Sequence, residues 1–171
     1  METGVIPAYY VRTMAAYNAE MNRRIYGAAM VLEDAQRRAD VGLFWRSIHA
    51  TLSHIYWADL AWLARFGVGQ APAVAIRDSG AMEDDFRRLW SLRQELDAEI
   101  IGWADVYDES QSEGMLEWWS GAAGRQMAKP RALCLMQLFN HQTHHRGQVH
   151  AALTQVGVST GDTDLPFVLP D

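Results

Sequence analysis

The sequence predicts an all-α protein, a four-helix bundle with a short irregular or β-like segment before the last helix. Two observations carry this. Four long stretches place apolar residues at intervals of three and four, and Gly67 to Gly80, with Gly69 and Pro72, breaks the pattern between the second and the third. Only residues 107–129 lose that period, and there Glu117-Trp118-Trp119-Ser120, followed by Gly121 and Gly124, reads as a short strand or extended loop.

In the first stretch, from about Pro7 to Arg38, the buried face is Tyr10, Met14, Tyr17, Met21, Ile25, Ala28 and Leu32. Asn18 and Asn22 interrupt it and suit hydrogen bonding within the bundle or a contact to a ligand. The second runs from Asp40, an acceptable N-cap, to Phe66, where Gly67 offers a left-handed stop. Its stripe is Phe44, Ile48, Leu52, Ile55, Trp62 and Phe66. Asp59 falls inside that stripe and needs a partner, an Arg or Asn of the first helix being the expectation. Gly67 to Gly80 forms a linker over the bundle end. A third helix begins near Met82 and continues through Phe86, Leu89, Trp90, Leu96, Ile100 and Trp103 to Val106, with its charges on a solvated face. The tryptophans at 118 and 119 close one end of the core or line a pocket. Pro130 opens the last helix, which ends before Gly157, and the tail with Pro166 and Pro170 is expected to lie extended against the body.

Composition narrows the function classes. With 171 residues the chain fits one domain, 1–171, able to bury a core, and 49% hydrophobic against 21% charged residues argues against disorder. A net charge of −6 without any Lys/Arg cluster argues against a nucleic-acid surface. The amino terminus METGVIPAYYVRT lacks the basic and apolar regions of a leader, and no run approaches the ~18 apolar residues of a membrane span. A soluble, cytoplasmic protein is expected. Cys134 is solitary, so a multi-cysteine zinc site is excluded.

The candidate chemistry lies in Asn140-His141-Gln142-Thr143-His144-His145-Arg146-Gly147-Gln148, which holds three of the six histidines. On a helix His141 and His145 share one face, in the sector of Cys134, Leu138, Val149 and Ala152. Two imidazoles one turn apart within a buried stripe form a metal clamp, or else two core histidines satisfied by their neighbours. In the second helix His54 borders the stripe, while His49 lies about 140° away from His54 on the wheel. His54 is therefore the candidate third ligand. His144, about 60° from His141, is its rival, and His49 and His150 should be dispensable.

Together, Tyr17-Asn18 with Asn22, Ser53-His54-Ile55 with Ala58-Asp59 and Trp62-Leu63, and Asn140-His141 through Gln148 resemble the DinB-like metal-binding four-helix proteins of bacteria. The resemblance spans nearly the whole chain. It implies a divalent metal ion, zinc or nickel, held by His54, His141 and His145 with positions open to water or substrate. It also implies a homodimer, which the many large apolar side chains favour independently, and activity as a thiol-dependent transferase or isomerase. The family often has Glu beside the first histidine of the last helix; Gln142 stands here instead and cannot serve as the general base of an H-E-x-x-H helix. Three functions remain open: transfer of a small-molecule thiol to an electrophile, metal-dependent hydrolysis, and a non-enzymatic metal-binding stress protein.

Overall fold

A computed structural model of the chain describes residues 4–170. Met1 to Thr3, part of the terminus read above for a leader, and Asp171 lie outside them. Among the described residues six α-helices and one hairpin form in order: α1 (Ala8–Met30), α2 (Asp34–Arg38), α3 (Ile48–Phe66), α4 (Phe86–Asp105), β1 (Met115–Ser120), β2 (Arg125–Pro130), α5 (Arg131–Gln155) and α6 (Leu165–Val168).

The four long helices make the bundle. In it α1 packs on α4 and α5, and α3 packs on α5 and, more lightly, on α4. Thus α1 and α3, successive long helices, stand diagonally, as do α4 and α5. A diagonal step cannot be made by a tight turn. Both such steps are long, and they carry α2 in one case and the hairpin in the other. The core between the helices includes Leu52, Ile55, Leu89 and Leu138, all fully buried, each contributing roughly 1.5–3 kcal/mol of burial free energy.

Several boundaries differ from the sequence expectation for identifiable reasons. The first helix stops at Met30 rather than Arg38 because Arg37, on α2, turns back and donates through Nη1 to the carbonyls of Ala29 and Met30 at 3.3 and 3.4 Å. The orphan carbonyls of the last turn are thereby satisfied without glycine. The second long helix starts at Ile48, not Asp40: Ser47 is the N-cap, accepting from Ala50 N at 3.1 Å. Residues 41–46 fold into a turn in which Arg46 takes φ 68° and Phe44 is 75% exposed, so Phe44 is not part of the core stripe. At the other end, the stop at Gly67 is as expected, with φ 85° and the amides of Gly67 and Val68 bonded to Ala64 and Leu63. Gly67→Ala should cost about 1–2 kcal/mol, from the strain of a side chain in the left-handed region; an unchanged urea midpoint would contradict this.

The third long helix begins at Phe86, capped by Asp85, which accepts from Arg87 N and Arg88 N. The weak-period segment is a β-hairpin, with Trp118 opposite Met127 in an antiparallel register. Pro130 caps α5 instead of opening it. The tail is not wholly extended: α6 forms one turn and buries Val168 against Tyr17 and Met21. No helix among the described residues is long and apolar enough to cross a membrane.

Candidate metal centre

Because α3 and α5 pack side by side, His54 meets His141 and His145. One nitrogen from each ring lies within 4.8 Å of the other two. Nε2 of His54 is 3.2 Å from Nε2 of His141, and the ring centroids of His54, His141 and His145 are 4.5–5.1 Å apart. His54 and His145 are buried and His141 is half-buried.

Two of the three nitrogens that face away from the centre are engaged by neighbours, while His141 Nδ1 is buried without a hydrogen-bond partner among the described residues. Gln148 Oε1 can only accept, so His145 Nδ1, 2.9 Å away, carries the proton and Nε2 keeps its lone pair. Ser79 Oγ lies 2.8 Å from His54 Nδ1 and can play the same part. Ser79 belongs to a 3₁₀ turn, Ile76–Ala81, which is fixed to α3 by a bond from Ser53 Oγ to the Ser79 carbonyl. Trp45 stacks on the His54 imidazole with centroids 4.3 Å apart, so the turn before α3 roofs the cluster.

A divalent ion fits these donors. Zn–N bonds of 2.0–2.1 Å in a tetrahedral site place two nitrogens about 3.3 Å apart, and the His54–His141 pair stands at 3.2 Å. Without an ion one of these nitrogens can donate its N–H to the other, and a cation between them would take up both lone pairs instead. The other histidines lie elsewhere. His49 is buried with Nε2 2.7 Å from the Glu83 carbonyl, and His150 contacts Thr160. His144, the rival ligand, is exposed and outside the group, although its ring lies 4.9 Å from that of His145.

Asp59 is not at the cluster and its partners are not on α1. It pairs with Arg93 of α4 at 2.6 Å and accepts from Gln142 of α5. Arg93 also reaches Asp97 at 2.9 Å, so these two charges are buried, not solvated as the pattern of the third helix had suggested. Asn22 donates to Asp97 and Gln142, and Arg146 to Asn18 and Gln142. Gln142 thus faces a polar cluster behind the histidines, and the asparagines of α1 serve the bundle.

Beside the imidazoles opens a cavity of about 820 Å³, lined by His54 and His141, by Trp57, Trp62, Trp118 and Trp119, and by Ala58, Ala61 and Ile76. The hairpin tryptophans therefore line a pocket. Trp118 packs edge-on against Trp62 at 5.6 Å, and Trp119 stays 66% exposed at the mouth.

The DinB family model matches residues 3–170. The chain belongs to the DinB family. Protein DinB of Bacillus subtilis (strain 168) is 24% identical over 159 residues, covering 90% of both chains. Among solved structures, a DinB-like protein from Bacillus cereus ATCC 10987 superposes with a TM-score of 0.61 at 17% identity, over 83% of this chain and 89% of that one. YfiT from Bacillus subtilis, described as a probable metal-dependent hydrolase with an unusual four-helix bundle topology, gives 0.63 at 15% identity over 90% and 91%. These likenesses show that this DinB chain shares their fold.

Protonation in the metal-free DinB chain has a testable sign. Burial, with His141 and His145 nearby, pulls His54 down to about 3; burial, with His145 and His144 nearby, pulls His141 down to about 4. Both lie below the ordinary imidazole value near 6.5. The unfolded chain therefore binds protons that the folded chain refuses, and stability is lost as pH falls from about 6.5 toward 4. Between pH 7.5 and 5.0 the chelated wild type should lose more urea stability than His54→Gln/His141→Gln. Asp59, raised by burial to about 6, acts with the opposite sign but is common to both proteins. Equal losses would contradict the assignment.

Proposed function

We propose that His54, His141 and His145 hold one divalent ion, zinc or nickel, and that the protein transfers a small-molecule thiol to an electrophilic carbon. One observation carries this reading: the imidazoles converge at a mainly apolar cavity whose lining contains no carboxylate. When bound, the ion would lower the proton affinity of a coordinated thiol or, in the alternative reading, of water.

Thiol transfer asks little further of the chain, because a thiol so activated needs no separate base. Hydrolysis profits from one, and the buried carboxylates Asp59 and Asp97 are both committed to Arg93. Gln142 has no acidic proton to exchange. The chain's own contribution is to fix two imidazoles through Ser79 and Gln148, cover them with Trp45, and exclude water with the tryptophan walls. Hydrolysis stays as the second reading because YfiT, with the same fold, is described as a probable metal-dependent hydrolase.

Elemental analysis of untagged protein, followed by cobalt substitution and addition of thiols, tests the proposal. A sulfur-to-cobalt charge-transfer band and turnover with reactive electrophiles are expected. Metal binding without either, together with ester or amide cleavage, would transfer support to hydrolysis. Metal binding that only raises stability would leave the non-enzymatic role. The proposal includes a homodimer, and sedimentation at micromolar concentration showing monomer alone would remove that part.

A further inference from the structure

The cavity extends well beyond what three imidazoles and a small thiol require. It follows α3 from His54 past Trp57, Ala61 and Trp62 to Arg65, about three turns or ~16 Å of helix axis. Arg65 marks its far end. Its guanidinium carbon lies 4.3 Å from the centroid of the Trp62 ring and 5.3 Å from that of Trp118, so the side chain leans back along the helix and rests in the angle between two edge-packed rings.

Among the described residues Arg65 makes no ion pair and no side-chain hydrogen bond. Every other arginine that is not exposed, namely Arg24, Arg37, Arg93, Arg131 and Arg146, makes at least one. In a chain with 21 Asp and Glu residues, the cavity lining holds Arg65 and Arg77 and no carboxylate. Arg77 at the rim already contacts Asp78 at 3.4 Å. The two tryptophans lie to one side of the Arg65 guanidinium, and its N–H groups, which radiate in the guanidinium plane, are free to meet other acceptors. A carboxylate can meet two of them at once. A phosphate dianion would lose more hydration on entering the same apolar wall.

We propose that the cavity receives an elongated substrate with an apolar or aromatic body and a terminal carboxylate, the carboxylate on Arg65 and the reacting atom at the histidines, ~10–12 Å away by helix geometry. The placement of the reacting end rests on the metal-centre reading above. The grip on the carboxylate does not.

The test is equilibrium binding, by calorimetry and tryptophan fluorescence, of 4-phenylbutanoate and 6-phenylhexanoate against their primary amides. Both the zinc-loaded protein and the chelated protein are titrated. The acids should bind about 10-fold or more tighter than the amides, the order expected of a charge-assisted hydrogen bond, and this ratio should survive chelation. Arg65→Gln should erase the ratio in both forms, while Arg65→Lys, which keeps the charge, should restore part of it and show that the fold tolerates change there. Equal binding of acid and amide, or binding of neither, overturns the proposal. So does a ratio that disappears on chelation yet is indifferent to Arg65→Gln, because the carboxylate would then be held by the metal. Absence of turnover with any thiol or electrophile leaves these titrations unaffected, so the two readings fail separately.

Discussion

Replacing His54, His141 or His145 by alanine is expected to abolish stoichiometric zinc or nickel binding, whereas His49→Ala and His150→Ala should retain one ion per chain. The loss should exceed the roughly 10–100-fold drop that follows when only an outer partner of a ligand is removed; Ser79→Ala and Gln148→Ala should show that smaller drop. The physical basis is the geometry of the donors. One nitrogen from each of the three rings lies within 4.8 Å of the others, and the outer nitrogens of two are occupied by Ser79 and Gln148. His49 spends its Nε2 on the Glu83 carbonyl. Stability should report the same contact, because ligands on α3 and α5 are brought together only in the folded state. With metal at a thousand times its dissociation constant the linkage is worth about 4 kcal/mol, on the order of 8–16 °C in the thermal midpoint for a chain of this size. Wild type should show that rise on zinc addition and the three variants should not. A His54→Ala protein that keeps its ion, beside a His49→Ala protein that loses it, would reverse the assignment of the third ligand.

The meeting of the three histidines was legible because its signal is local: His141 and His145 are one turn apart in an unbroken apolar phase, and His54 sits at the margin of another. Their outer partners were less so. Ser79 lies in a linker with no period to fix where it points, and its role depends on the 3₁₀ turn folding back over α3. Gln148, seven residues after His141, falls on the same side of the helix, but nothing in that spacing says that it bonds His145. The helix limits failed for a related reason. Arg37 ends α1 from the following helix, a tertiary act with no glycine or proline to announce it. Phe44 extends the four-residue rhythm of Ile48 and Leu52 backwards, although the chain has already left the helix there. Arg93 and Asp97 show the reverse error. As an oppositely charged pair four apart they read as a surface contact, yet they share the phase of Leu89, Leu96 and Ile100, and that phase was the better guide.

Arg93→Met should destabilise the protein by about 3–5 kcal/mol, the usual cost of removing one partner from a buried ion pair. Arg93 is wholly inaccessible to solvent and stands between Asp59 on α3, at 2.6 Å, and Asp97 on its own helix, at 2.9 Å. Those carboxylates lead onward to Gln142 on α5 and Asn22 on α1, so the cluster joins all four long helices at one level of the bundle. Without the guanidinium, two acids would face each other in the core. Burial already raises both, Asp59 to about 6, against the pull of Arg93. Losing Arg93 raises them further. A carboxyl whose folded value lies above its unfolded value gains stability as pH falls through the folded value. The deficit of Arg93→Met relative to wild type should therefore be largest near pH 8 and shrink toward pH 5, and urea midpoints at the two pH values measure it directly. A packing defect alone would give a deficit independent of pH. Asp59→Leu/Arg93→Met/Asp97→Leu should recover much of the loss, since burying no charge is cheaper than burying an unpaired one. Full recovery is not expected, because Gln142 and Asn22 would keep polar atoms in the core with fewer partners. If the triple variant is no more stable than Arg93→Met, the cost lies in the shape of the arginine stem and not in its charge.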